Sequence, residues 1–213
     1  MVVTILTGRR PKLLKRTLDS LKLQCPEVLI NTIIVMNNAY DQGTNELLKT
    51  YDFIDEIIVR KQTISIGDAM TVLAQAALKS GERLWLHIED DWQCMNGGWF
   101  KQATILACRD DVSQVRLRLD SEKVLGKHMI TGETINWRLS ESGSFKIADN
   151  AHLTFNPSII KTSAIPYIFP CTGERRAQKN YLKHMKKSVQ LIPGVFKHIG
   201  DDQSLREITR CEV

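Results

Sequence analysis

The sequence of 213 residues lacks the features of several protein classes. Its five cysteines are odd in number and form no Cys-x-x-Cys pair, which argues against a zinc ribbon or a disulfide framework and for a reducing compartment. No apolar run approaches the roughly 20 residues of a membrane-spanning helix. The apolar N-terminus has no basic segment before it, so we interpret it as a strand and not as a signal peptide. We therefore expect a cytoplasmic protein with one core.

Acidic residues are missing from one C-terminal stretch. Between Arg175 and Gly200 the chain has seven Lys or Arg residues and no Asp or Glu. The remaining residues include 22 basic and 24 acidic side chains, so the formal net charge of +5 comes from this stretch. Either an anionic partner or a solvated helix face would explain it.

Strand-like and helical patterns alternate over the first ninety residues, which predicts a mostly parallel, doubly wound sheet flanked by helices. The strand-like runs cover residues 1–8, 31–38, 55–61 and 83–91, and the helical patterns cover 11–24, 44–51 and 67–81. The second half is less regular. We expect strands within 112–121 and 150–160 and one long helix over 172–191.

Three acidic residues, Glu89, Asp90 and Asp91, end the fourth predicted strand. Neighbouring carboxylates repel one another, and a divalent cation would compensate them. Residues 89 and 91 alternate along the strand, so both side chains can face one side. Because ligands of such sheets bind outside the carboxyl ends of the strands, we expect the acids to share a crevice with Asn37 and Asn38. An acidic helix cap or a solvated turn is the alternative.

Several segments, in order, resemble the GT-A fold glycosyltransferases, particularly those of the family 2 type. They are VVTILTGRRPKLLKRTLDSL, IIVMNNAYDQGT, GERLWLHIEDDW, LTFNPSIIKTSAI and the tail FKHIGDDQS. The resemblance implies a nucleotide-diphospho-sugar transferase domain, with a nucleotide-sugar-binding half over 1–95 and an acceptor-binding half over 96–213. It also implies transfer of a sugar from a nucleotide-diphosphate donor to an acceptor hydroxyl.

The family's acidic motif binds Mn²⁺ or Mg²⁺, which neutralises the leaving diphosphate. By resemblance, Asp91 is a metal ligand, and Glu89 or Asp90 holds the ribose or a metal-bound water. The family usually has Asp where Glu89 stands. His198 is either a further metal ligand or a structural histidine, whereas His87 lies on an apolar strand and is expected to be packed.

The donor nucleotide is expected to be a UDP-sugar. Asn37 stands where the family commonly has an Asp that accepts a hydrogen bond from uracil, and an amide oxygen can also accept. Asn38 and Thr7 are expected in the same pocket. Asp68 is either a pocket residue or an ordinary acid of a helix N-terminus. The family's Arg-Asn pair is missing from this helix.

An inverting transferase needs a base for the acceptor hydroxyl. By resemblance Glu174, near the start of a helix, is the catalytic base, and an ion-paired surface glutamate is the alternative. Asp202 and its neighbour Asp201 are the next candidates, followed by Asp149.

The predicted helix after Glu174 is basic and amphipathic. At about 100° per residue its cations fall within an arc of roughly 120°. They are Arg175, Arg176, Lys179, Lys183, Lys186 and Lys187. Four uses of this face stay open: a solvated surface, a contact with the donor diphosphate, a contact with a polyanionic acceptor such as nucleic acid, and a contact with an anionic membrane surface.

The acceptor expected from the family is a carbohydrate or a lipid-linked sugar. The alternative is a hydroxymethylated base of viral DNA, flipped towards Trp92, Trp99 or Trp137, in which case the enzyme would act in the host cytoplasm. Two other functions compete. A sugar-phosphate nucleotidyltransferase would need a Gly-rich basic loop, but residues 7–16 contain one glycine. A nucleic-acid-binding module would bind plain DNA.

Overall fold

The structure is a computed structural model and describes residues 1–119, 127–128, 130–155 and 157–200. Its helices are α1 (Pro11–Gln24), α2 (Gln42–Leu48), α3 (Ile66–Lys79), α4 (Phe100–Cys108), α5 (Ile165–Ile168) and α6 (Glu174–Tyr181). Its strands are β1 (Val2–Thr7), β2 (Thr32–Asn37), β3 (Glu56–Val59), β4 (Leu84–Glu89), β5 (Trp92–Cys94), β6 (Val112–Arg116), β7 (Arg138–Leu139), β8 (Phe145–Ala148), β9 (Ser158–Lys161), β10 (Lys187–Leu191) and β11 (Phe196–His198).

The central sheet has nine strands in the order β3-β2-β1-β4-β9-β6-β10-β8-β7. β1 pairs in parallel with β2 and β4, β2 with β3, and β6 with β10. β9 runs antiparallel between β4 and β6, and β8 runs antiparallel to both β10 and β7. Seven of the nine strands therefore point the same way, which confirms the predicted mostly parallel α/β sheet.

Helices cover both faces of the sheet. Alternate residues of β1 face opposite sides, so Val3 and Ile5 pack in one apolar cluster and Val2 and Leu6 in the other. Helices α1 and α4 contribute to the first cluster, and α3, α5 and α6 to the second. Burial of each large aliphatic side chain contributes about 1.5–3 kcal/mol.

Helix α1 forms where the sequence predicts it. Pro11 occupies its first turn, where the missing N–H costs nothing, and its buried leucines recur at helical spacing. Helix α3 begins after Ser65, whose side chain accepts a hydrogen bond from the backbone N–H of Asp68. Both helices end within two residues of the predicted boundary.

The long basic helix predicted over 172–191 is wrong. Helix α6 ends at Tyr181, a 3₁₀ turn follows over Leu182–His184, and β10 begins at Lys187. Val189 and Leu191 are buried in the sheet between β6 and β8, so strand burial overrides the helical spacing of the cations.

The proposed basic face is correspondingly shorter. Arg175, Arg176 and Lys179 remain on α6, and Lys183 lies in the turn. The last two cations of the predicted face bind elsewhere: Lys186 Nζ donates to the carbonyl of Asp110, and Lys187 Nζ pairs with Asp111, both at 2.8 Å.

A second, two-stranded sheet completes the region beside the acidic cluster. Strand β11 pairs antiparallel with β5, which places His198 opposite Trp92. The backbone N–H of Ile199 then donates to the carbonyl of Asp91 at 2.8 Å. This pairing returns the end of the described chain to the carboxyl end of β4. Across the described ranges, no helix is both long and apolar enough to cross a membrane.

Candidate active site

A cleft of about 630 Å³ opens at the carboxyl ends of β1, β2 and β4. Residues of both predicted halves line it, including Thr7, Arg10, Asn38, Gly67, Glu89, Asp91, Phe155, Gly173, Glu174, His198 and Gly200. The first half therefore supplies the strand ends, and the second half supplies His198 and Gly200 beside Asp91 as well as Phe155, Gly173 and Glu174.

The three consecutive acids point in alternating directions. Glu89 and Asp91 line the cleft, as the strand periodicity predicts, whereas Asp90 is completely buried. Thr7 Oγ1 donates to Asp90 Oδ2 at 2.6 Å, and Thr17 Oγ1 donates to the Asp90 carbonyl at 2.7 Å. Asp90 is thus an internal anchor of the acidic turn, and Thr7, which lines the cleft, is bound to it.

Arg10 is the principal partner of this cluster, and the sequence does not reveal it. Its Nη2 donates to Asp90 Oδ1, and its Nε donates to Asp90 Oδ2 at 3.3 Å. Its Nη1 donates to Asp91 Oδ2 at 2.9 Å. Arg9 adopts a left-handed backbone conformation, and Pro11 starts α1, so the chain turns sharply at Arg10. The only signal available in the sequence is this Gly-Arg-Arg-Pro turn directly after a strand.

Asp91 is placed between two cationic or potentially cationic groups. Its Oδ2 lies 3.4 Å from His198 Nε2 as well as near Arg10, while its Oδ1 is buried without a hydrogen-bond partner. Burial favours a higher pKa for Asp91, but His198 and Arg10 outweigh it and lower the pKa. Gly200 fits against this side chain, since an added Cβ would lie 2.7 Å from the Asp91 carboxylate.

The pKa of Glu89 is shifted in the opposite direction. Burial, followed by the negative charges of Asp91, Asp90 and Glu174, raises the pKa of Glu89 to about 8. A cation in the cleft would stabilise its ionised form.

The residues of this cluster fit a divalent cation. The buried, unpaired Oδ1 of Asp91 is an available oxygen ligand, and the His198 imidazole lies beside it. In the part of the chain that the structure describes, no group of three or more His, Cys, Asp or Glu side chains is placed to hold a metal. A cation would therefore share these protein ligands with oxygens of a bound molecule, as Mg²⁺ commonly does.

Glu174 lines the same cleft as Glu89 and Asp91. It is the first residue of α6, and its Oε1 accepts a hydrogen bond from the backbone N–H of Phe155 at 3.0 Å. Of the other candidate bases, Asp149 is exposed and pairs with Arg138. Asp201 and Asp202 lie outside the described residues.

The candidate nucleotide residues separate in space. The Asn38 amide lies at the cleft and binds both backbone groups of Ile64, donating at 2.8 Å and accepting at 3.2 Å. The Asn37 amide instead donates to Asn45 Oδ1 at 3.1 Å. Asp68 accepts a hydrogen bond from the Ser65 hydroxyl at 2.7 Å and belongs to the cap of α3.

Two aromatic candidates belong to the core. Trp92 and Trp99 are buried in the first apolar cluster, and Trp92 contacts the His198 ring with centroids 5.0 Å apart. His87 is buried as predicted: its Nδ1 binds Thr4 Oγ1 at 2.9 Å, and burial lowers its pKa to about 3.

Comparison with known proteins identifies the fold. No protein-family profile and no curated protein sequence matches this chain. A structure of GalNAc-T7 with UDP, GalNAc and Mn²⁺ matches with a TM-score of 0.66 and 10% identity, covering 92% of this chain and 42% of that one. S. aureus TarS 1-349 in complex with UDP matches with a TM-score of 0.63 and 14% identity, covering 92% and 59%. The chain has the GT-A fold.

The GT-A resemblance inferred from the sequence is therefore confirmed for the fold. A structure of S. aureus TarS matches with a TM-score of 0.63 and 16% identity over 99% of this chain and 38% of that one. Identities this low show the fold alone. The chain spans less than two thirds of the length of these neighbours.

Proposed function

We propose that the chain is a metal-dependent, inverting glycosyltransferase that moves a sugar from a nucleotide-diphosphate donor to an acceptor hydroxyl. The observation that carries this proposal is the cleft itself. Glu89 and Asp91 line it at the end of β4, and Glu174, the first residue of α6, lines the same cleft. Structures with the same fold contain UDP with Mn²⁺ or UDP-GlcNAc, which supports a nucleotide-sugar donor and a UDP-sugar in particular.

The donor side is assigned to the first half, residues 1–95. Asp91 of this half, together with His198 from the second half, would hold Mn²⁺ or Mg²⁺, which when bound neutralises the charge of the departing diphosphate. Glu89 faces the cleft and is the better candidate than the buried Asp90 for a contact with the ribose or a metal-bound water. Thr7 and Asn38 line the same space.

The other two donor candidates, Asn37 and Asp68, are not among the residues that line the cleft. The Asn37 amide is engaged by Asn45, so a role in reading the base requires it to release this contact. Asp68 would contribute by accepting a hydrogen bond from the hydroxyl of Ser65, the N-cap residue of α3, whose first residues line the cleft.

The acceptor side is assigned to the second half, residues 96–213, with Glu174 as the base. In one displacement the acceptor oxygen bonds to the anomeric carbon, its proton passes to the Glu174 carboxylate, and the bond to the diphosphate breaks. The Phe155 N–H fixes one Glu174 oxygen, which leaves the other for the acceptor. Asp202 remains the second candidate for this role.

The acceptor is proposed to approach over the exposed cations Arg175, Arg176, Lys179 and Lys183, which directly follow Glu174 in the chain. A carbohydrate or lipid-linked sugar that carries negative charge would fit this surface, and DNA with a hydroxymethylated base is the alternative. A cytoplasmic location belongs to the proposal and rests on the sequence alone.

The test compares Glu174→Gln with Glu174→Ala. The glutamine retains an oxygen for the Phe155 N–H but cannot take a proton, so structural and catalytic roles separate. We expect Glu174→Gln to bind UDP with Mn²⁺ as the wild type does and to lose about 100-fold or more of the transfer rate. The matched control is Asp149→Asn, at an exposed acid that pairs with Arg138.

Transfer is measured as UDP release from UDP-sugars with a panel of oligosaccharides, lipid-linked sugars and hydroxymethylated DNA. Release that depends on one acceptor class also identifies the acceptor. Full transfer activity in Glu174→Gln would contradict its assignment as the base.

A further inference from the structure

The acidic cluster contains its own counter-ion. Arg10 is only 8% exposed, although it lines the cleft, and its guanidinium binds both oxygens of Asp90 and Oδ2 of Asp91. Planar guanidinium groups bind carboxylates through paired hydrogen bonds of this kind. Arg10 is thus part of the cluster to which a metal ion would bind.

This arrangement restricts what Asp91 can offer to a cation. Oδ2 of Asp91 is shared by Arg10 Nη1 at 2.9 Å and His198 Nε2 at 3.4 Å. Oδ1 is buried and has no hydrogen-bond partner. With the guanidinium in place, one Asp91 oxygen and not two is available to a metal.

The guanidinium also opposes cation binding by its charge. It lies within hydrogen-bond distance of the carboxylate that would hold the metal, at a site where burial weakens solvent screening. A nucleotide diphosphate would bring further negative charge and further oxygen ligands to the same place.

We propose that Arg10 is a positioning residue that keeps the metal affinity of the cleft low until a nucleotide diphosphate binds. This inference rests on the proposed function. Its consequence is that metal and donor bind together, because each supplies what the other lacks. Arg10 touches neither the acceptor nor the reacting atoms in this account, and it acts through the Asp91 carboxylate.

The test measures Mn²⁺ binding directly, by the electron paramagnetic resonance signal of free Mn²⁺, with and without UDP. Wild type should bind Mn²⁺ at least tenfold more tightly with UDP than without it. Arg10→Gln should bind Mn²⁺ without UDP at least tenfold more tightly than wild type, and UDP should add less. A tenfold change corresponds to about 1.4 kcal/mol.

Two variants show which property of Arg10 matters. Arg10→Lys keeps the positive charge and should stay closer to wild type than Arg10→Gln does. The matched control is Arg16→Gln, on the exposed face of α1, the helix that Arg10 precedes. Arg16 binds Gln93, and this variant should behave as wild type.

Arg10→Gln leaves the buried Asp90 without its cation, so it can fail to fold. The double variant Arg10→Gln/Asp90→Asn replaces the buried ion pair by two amides and still frees Oδ2 of Asp91 from the guanidinium. It should bind Mn²⁺ at least threefold more tightly than wild type without UDP.

The possible outcomes distinguish the role of Arg10 from the proposed glycosyltransferase function. Mn²⁺ binding in the presence of UDP, with the same UDP-free affinity in wild type and in the folded Arg10 variants, would overturn only the role of Arg10. No Mn²⁺ binding by any variant, with or without UDP, would overturn the proposed function as well.

Discussion

Replacement of Gln178 by Ala should destabilise the acceptor side of the cleft. Residues 151–155 are all buried but form no strand, so side chains from β6 and α6 bind their backbone groups. Arg116 donates to the His152 carbonyl, Gln178 to the Leu153 carbonyl at 2.9 Å and Gln114 to the Thr154 carbonyl at 2.7 Å, while Glu174 accepts from the Phe155 N–H.

The residue spacing explains how α6 binds the backbone of both Leu153 and Phe155, which are two residues apart, through Gln178 and Glu174. Residues 174 and 178 lie about 6 Å apart along a helix, close to the roughly 6.6 Å that two residues of extended chain span. Gln178 is 1% exposed, and its loss leaves the buried Leu153 carbonyl unpaired. An unsatisfied buried acceptor costs about 1–3 kcal/mol, which exceeds the few tenths that alanine gains in helix propensity.

Urea denaturation measures the effect. With a loss of about 2 kcal/mol and a denaturant slope of about 2 kcal/mol/M, the midpoint should fall by about 1 M. Because the same segment fixes Glu174, the turnover rate should fall while UDP affinity is retained. The control is Gln42→Ala, which removes an exposed amide bound to Glu46 and should change stability by no more than about 0.5 kcal/mol. Equal midpoints for the two variants would refute the reasoning.

Two further substitutions test other contacts. Gly67→Ala places a Cβ against the backbone of residues 171–173, just before Glu174, so thermal unfolding should report a loss of about 1–3 kcal/mol with reduced transfer; unchanged melting and activity would contradict this packing. His87→Asn keeps a polar partner for Thr4 but cannot take a proton. Since the pKa of His87 falls from an ordinary 6.5 to about 3 on folding, the unfolded state alone binds a proton between these values, and wild type loses about 1.4 kcal/mol of stability per pH unit on acidification there. The urea midpoint, measured at pH 6, 5 and 4, should fall less on acidification in His87→Asn than in wild type. An equal fall of the midpoint in both proteins would contradict this role of His87.

The first half of the fold follows from local sequence patterns. Helix α1 begins at Pro11 and buries a leucine face, and the four strands β1 to β4 have apolar runs with polar residues at their carboxyl ends. Each of these signals lies within one segment. The sequence therefore predicts the position of the crevice, and it predicts that Glu89 and Asp91 lie on the crevice side of the strand.

The features missed by the sequence depend on long-range contacts. Arg10 and Asp90 are 80 residues apart, and β11 meets β5 across about 100 residues. Apart from the Gly-Arg-Arg-Pro turn, nothing local distinguishes Arg10 from the exposed Arg16. The residues after Tyr181 have helical spacing, but Val189 and Leu191 belong to β10, because β6 is there to pair with this strand. Tertiary packing decides such cases, and a single sequence does not display it.

The central claim is that a nucleotide diphosphate binds at the acidic cluster together with a metal. The most direct measurement is a thermal-shift panel of nucleoside diphosphates and nucleotide sugars, with and without Mn²⁺, on wild type and on Asp91→Asn. We expect UDP and its sugars to raise the melting temperature of wild type only with Mn²⁺, and Asp91→Asn to abolish most of this rise. A rise of equal size in Asp91→Asn, or none with any nucleotide in wild type, would contradict the account.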